Sequence, residues 1–140
     1  MATVFTHPVD VRYLEVDQQG VVFNMWYLAY FDDAMTAFLS HGGLEYDDLT
    51  AAGFDVQLVS TKLDWRGGVG WRDDVAVAVS LARMGRTSFT LDFEVRRGGD
   101  AVVDGRTVYV VVGTDGAGKR DIPPFLRDAL GPEQPLRPLT

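Results

Sequence analysis

Asp17-Gln18-Gln19-Gly20-Val21-Val22-Phe23-Asn24-Met25-Trp26-Tyr27 is the stretch on which the fold turns, because the hydrophobic period changes across it. Downstream, Tyr27, Tyr30, Phe31, Ala34, Met35 and Phe38 recur at intervals of three and four, while Asp32, Asp33 and Thr36 fall between them. That spacing predicts a helix over residues 25–39 with one broad apolar face. His41-Gly42-Gly43 closes it: glycine takes the left-handed conformation that ends helices, and a late histidine suits the negative end of the dipole, so His41 reads as a helix-end residue. Upstream, Val9, Val11 and Tyr13 alternate with Asp10 and Arg12, which predicts a strand over residues 9–16. Asp17 therefore sits between a strand and the mouth of a helix. A carboxylate there either serves the turn and the cap, or faces a carbonyl whose oxygen the free helix N–H groups can hold.

Beyond a short polar connector at residues 45–53, with room for one helical turn, the period becomes two. Strands are predicted over residues 54–65, 74–83, 87–96 and 102–112. Val75, Val77, Val79 and Leu81 alternate with small residues, and Phe89, Leu91, Phe93 and Val95 alternate with polar ones. Met84-Gly85-Arg86 and Gly98-Gly99-Asp100 are too short for crossover helices and imply antiparallel hairpins. Trp65 and Trp71 flank Arg66-Gly67-Gly68-Val69-Gly70, which lacks the Lys-Ser/Thr of a phosphate-binding loop and reads as a strand connection. The proline-rich tail after Ile122 cannot extend a strand ladder, although residues 124–130 can form a brief helix.

One strand, one long apolar helix and four antiparallel strands make an α+β unit whose sheet must wrap the helix. The chain of 140 residues reads as a single domain over 1–140, with 46% hydrophobic residues to fill a core. A net charge of −7 without a Lys/Arg run argues against nucleic acid. No apolar run approaches the ~20 residues that span a bilayer, and the N-terminus lacks the pattern of a leader. The absence of cysteine removes disulfides, a thiolate nucleophile and cysteine metal sites, and suits the cytoplasm. Two histidines and no Gly-x-Ser-x-Gly elbow leave no serine triad or metal cluster. An open sheet edge predicts pairing with a second copy.

The segment from Val11 to Tyr27, followed by Tyr30-Phe31, resembles the N-terminal signature of hotdog-fold acyl-CoA thioesterases of the 4-hydroxybenzoyl-CoA thioesterase type. Asp73-Asp74-Val75 and Arg86-Thr87-Ser88-Phe89 echo it later in the chain. The resemblance implies an antiparallel sheet wrapped around a long central helix. It also implies a homodimer, often paired again into a homotetramer, with acyl-CoA sites at the subunit interface and neither metal nor separate cofactor, the CoA being part of the substrate. Asp17 is then the nucleophile or general base, and the helix start at Asn24 supplies a backbone N–H to the thioester oxygen. Gly20 and Tyr27 are implied at the substrate. Val59, Ser60 and Thr61 approach from the neighbouring subunit, and Arg83 and Arg86 meet the CoA phosphates. Many bacterial relatives carry histidine where this chain has Asn24, whose amide can orient water, bond the thioester or cap the helix. The activity implied is hydrolysis of aryl or short- to medium-chain acyl-CoA. A non-catalytic acyl-CoA binding or sensing protein is the alternative, and a hydratase lacks its histidine.

Overall fold

A computed structural model describes residues 3–139. Five strands form one sheet in the order β1-β3-β4-β5-β2, each neighbouring pair antiparallel: β1 (Phe5–Val9), β2 (Phe54–Trp65), β3 (Val75–Met84), β4 (Ser88–Arg97) and β5 (Asp100–Gly113). The long helix α1 (Trp26–His41) lies against one face, with short helices α2 (Tyr46–Ala51) and α3 (Pro124–Leu130) beside it.

Spacing explains the packing of α1. Tyr27, Tyr30, Phe31, Ala34, Met35 and Leu39 are its buried residues, while Leu28, Asp32 and Thr36 are exposed. Phe31 stacks on Phe93 of β4 with ring centroids 4.5 Å apart. The residue paired with Phe93 across the sheet is Gly105 of β5, where a Cβ would stand 2.4 Å from Phe31 Cε2. Glycine at that one position lets the helix settle onto the sheet. His41 is the last residue of α1 and its ring packs 4.8 Å from that of Phe5, as a helix-end residue should.

The strand predicted over residues 9–16 is displaced. β1 ends at Val9, and Tyr13–Glu15 form a turn of 3-10 helix. The cause is local: Glu15 bonds back on Arg12, its N–H donating to Arg12 O at 2.9 Å and its Oε1 accepting the Arg12 N–H at 2.9 Å. A side chain that satisfies the backbone in this way competes with a strand ladder.

The tail also does more than end the chain. Residues 134–138 cross the outer face of the sheet, where the Gln134 N–H donates to Leu81 O at 2.7 Å and the Leu136 N–H to Asp92 Oδ2 at 2.9 Å. Asp92 is fully buried beneath this strap, gripped by Arg106 through two hydrogen bonds of 2.6 and 2.9 Å and approached by Arg137 at 3.2 Å. Buried charge is tolerated because every carboxylate oxygen is paired.

Candidate active site

Two loops meet over the start of α1. Residues 17–20 form a tight turn: the Gly20 N–H donates to Asp17 O at 3.0 Å, and Gly20 has φ +80°, a left-handed conformation natural to glycine. The turn is closed by a Val16–Val22 bridge and by the Asp17 N–H donating to Val21 O at 2.9 Å. Opposite lies the loop after β2, tied down where the Val22 N–H donates to Val69 O at 2.8 Å.

Between the loops is a cavity of about 580 Å³ whose wall includes Asp17, Gly20, Tyr13, Trp71, Asp73 and Arg97. Asp17 Oδ1 accepts the Gln19 N–H at 2.8 Å, an Asx turn that fixes the carboxylate, and Oδ2 makes no hydrogen bond to the described residues. The turn reading and the functional reading of Asp17 are therefore compatible. At the mouth of α1 the N–H groups of Asn24 and Met25 have no partner among the described residues, and the Asn24 amide makes no capping bond. Tyr27 is buried, and its hydroxyl accepts the Val69 N–H at 3.3 Å. Burial pushes that hydroxyl above the ordinary tyrosine range. The Asp17 charge adds to the shift, and the Val69 N–H and Arg97 oppose it. Asp17, Tyr27 and Arg97 thus share one electrostatic neighbourhood, with Tyr27 supporting the wall from behind.

The remaining expected site residues lie elsewhere in the protomer. Val59, Ser60 and Thr61 are on β2, an edge strand, with Val59 55% exposed at a bulge. Arg83 and Arg86 stand at the opposite end of the β3–β4 hairpin from Asp73 and Arg97. A strand of this length separates the two ends by roughly 30 Å. Arg86 is engaged at 2.6 Å by Asp121.

The sequence reading missed Arg97, Trp71 and Tyr13. Arg97 shares the parity of Phe89, Leu91, Phe93 and Val95, so a charge at the end of that row marks the rim of the helix-side face. Its guanidinium donates to Gly68 O. Trp71 lies edge-on to Tyr13 at 5.0 Å and beneath the Arg72 guanidinium at 4.1 Å. Arg72, with φ +73°, is the only non-glycine residue in the left-handed region among the described residues, and no sequence signal announces that strain.

The sequence profile of the thioesterase-like superfamily matches residues 11–130, which include both loops, α1 and the whole of β2 to β5. The chain belongs to the thioesterase-like superfamily. Among relatives of this superfamily chain is a protein of Aquifex aeolicus (strain VF5), named provisionally as an esterase. The two are 28% identical over 108 residues, which is 77% of this chain and 84% of that one. A hypothetical protein of Thermus thermophilus superposes with a TM-score of 0.83 at 29% identity, over 89% of this chain and 95% of that one. A 1,4-dihydroxy-2-naphthoyl-CoA thioesterase from Synechocystis shares the fold, with a TM-score of 0.82 at 20% identity over 91% and 96% of the two chains. The fold is the hotdog fold that the N-terminal signature implied, and membership of the superfamily makes the protein an enzyme of the thioesterase kind. Among the described residues no helix is long and apolar enough to cross a membrane.

Proposed function

We propose that this thioesterase hydrolyses acyl-CoA esters of aryl or short- to medium-chain acids, with Asp17 as the reacting carboxylate. The observation that carries the reading is the Asp17 carboxylate in the cavity wall, fixed through one oxygen and open at the other. Asp17, or a water that it deprotonates, adds to the thioester carbonyl carbon. The oxyanion so formed is met by the unpartnered N–H groups at the start of α1, with Asn24 at that position, and collapses by breaking the C–S bond. CoA leaves as a thiolate. On the water route it takes the proton that Asp17 removed, and the acyl group departs as the free acid. On direct attack a water then opens the acyl–Asp17 anhydride, giving the free acid, the regenerated carboxylate and the proton that the thiolate takes up. Thiolates leave readily, so this route asks for neither metal nor cofactor.

The site reads as complete only in an assembly. Leu28 on α1 and Leu58 and Val59 on β2 are 41%, 53% and 55% exposed, and β2 is an open edge of the sheet. Pairing of β2 with a second copy covers both, and brings Val59, Ser60 and Thr61 of that copy toward the acyl group. Arg83 and Arg86 serve the CoA phosphates only through such an assembly. We therefore take the working form to be a cytoplasmic homodimer, or a homotetramer made of two such dimers; a monomer by sedimentation at micromolar concentration argues against it.

The test is thiol release from a panel of aryl-, short-, medium- and long-chain acyl-CoA esters, comparing the intact protein with Asp17→Asn. A loss of about a hundredfold or more, ~3 kcal/mol of barrier, supports the reading. Tight acyl-CoA binding with no turnover by the intact protein favours a sensor instead.

A further inference from the structure

Glu15 is a buried acid that the chemistry above leaves unused. It is 4% exposed, yet carries a carboxylate, and a buried carboxylate is retained only where its oxygens are satisfied. They are. Oε1 accepts the Tyr30 hydroxyl at 2.8 Å and the Arg12 N–H at 2.9 Å, and Oε2 accepts Arg12 Nε at 3.0 Å. The backbone of the same residue is also engaged, since Glu15 O accepts the Phe23 N–H at 2.8 Å. Arg12 in turn lies over the ring of Trp26, the first residue of α1, at 5.3 Å.

These contacts bracket the reacting loop. Glu15 precedes Asp17 by two residues and Phe23 precedes Asn24 by one, so a single residue grips both ends of the turn that carries the carboxylate. Tyr30 is one helical turn beyond Tyr27, and the two rings are 5.9 Å apart at 72°. One hydroxyl holds Glu15 and the other holds Val69, so α1 clamps both loops of the cavity through a tyrosine pair.

We propose that Glu15 is a positioning residue for the hydrolysis: by anchoring on Tyr30 it fixes the Asp17 turn against the start of α1, so that the carboxylate and the free N–H groups keep one relative placement. This rests on the reading of Asp17 given above. Burial without the lock would cost stability for nothing, whereas a hydrolytic carboxylate must be held to within a fraction of an ångström. The surrounding hydrogen bonds and Arg12 outweigh burial and keep the Glu15 carboxyl below its ordinary range, so it is ionised and accepting at neutral pH.

The experiment uses Tyr30→Phe, Glu15→Gln and Glu15→Ala in the full-length protein. It measures kcat and KM on the best acyl-CoA of the panel, together with amide hydrogen exchange and thermal melting. Tyr30→Phe removes one hydroxyl and keeps the ring, so it tests the lock even if Glu15→Ala fails to fold. The expected result is a fall in kcat of about tenfold for Tyr30→Phe at little-changed KM, with faster exchange at Asp17, Gly20 and Phe23 but not within β4. Glu15→Gln, which keeps an acceptor for Tyr30, recovers part of the activity that Glu15→Ala loses. Unchanged exchange at the turn, or freed exchange with unchanged kcat, overturns the proposal. A change confined to KM does so as well. Full hydrolysis by Asp17→Asn instead overturns the assignment of Asp17, while exchange in the Tyr30 and Glu15 variants still reports whether the turn is held.

Discussion

Asp17 Oδ1 accepts the N–H of Gln19 two residues ahead, and Oδ2, on a residue of the cavity wall, makes no hydrogen bond to the described residues. The arrangement gives the carboxylate one fixed orientation and one open oxygen, which suits direct attack on a carbonyl as well as activation of water. Single-turnover hydrolysis in oxygen-18 water tests for direct attack. Label recovered in Asp17 by peptide mass spectrometry is the mark of a mixed anhydride opened at the aspartyl carbon, whereas label in the product acid alone is the result for activated water or for an anhydride opened at the acyl carbon, which trapping of the acyl–Asp17 adduct then tells apart.

The arginines considered for the substrate stand at two places, and kinetics distinguish them. Arg97 lines the cavity, whereas Arg83 and Arg86 stand at the far end of the β3–β4 hairpin. Joint replacement of Arg83 and Arg86 by alanine is expected to raise KM for acyl-CoA about tenfold, and to leave a truncated thioester lacking the nucleotide nearly unaffected. Arg97→Ala is expected to impair both substrates alike. Equal effects of the double replacement on the two substrates remove the phosphate assignment.

Asp92 is the keystone of the C-terminal strap. Asp92→Ala leaves Arg106 and Arg137 facing a neutral hole and frees the Leu136 N–H, and breaking a buried pair of this kind costs about 3–5 kcal/mol. Urea denaturation should show the loss. Exchange should quicken at Gln134 and Leu136 before it does in β3, because the strap depends on the pair more than the sheet does.

Alkaline stability is expected to fall between pH 10 and pH 12. Burial, with a hydrogen bond to Asp55, pushes the Tyr46 hydroxyl up from 10.0 to about 12. A folded-state pKa raised above the unfolded value contributes stability that is complete below the unfolded pKa and lost as pH climbs through the folded one. Burial raises Tyr30 and Tyr109 as well, so they contribute in the same direction. Tyr46→Phe should lower stability at neutral pH by about 1 kcal/mol and flatten the decline above pH 10; a decline of unchanged slope assigns it to other groups.

Much of this molecule was legible from periodicity. β2 falls on residues 54–65 and α3 on 124–130 as read, and β3, β4 and β5 begin and end within two residues of the alternation. Such strands carry their own signal because one face must be apolar. The departure at residues 9–16 has a cause that periodicity does not register, since the Glu15 carboxylate reaches back to Arg12 and turns an alternating segment into a 3-10 turn. Asp17 and Gly20 were legible for the opposite reason: the turn is local, and its residues sit within a few positions of one another.

The sequence by itself determined the long helix, the strands from β2 to β5 with their antiparallel hairpins, and the turn that presents Asp17, because each depends on neighbours along the chain. Only the tertiary structure decided which side chains share the cavity. Arg97 and Trp71 come from the end of one strand and a loop well before it, and they meet Asp17 because α1 is lodged against Gly105 and clamps both loops by Tyr27 and Tyr30. Contacts between residues so far apart in sequence are set by the packing of the helix on the sheet, which no local pattern encodes.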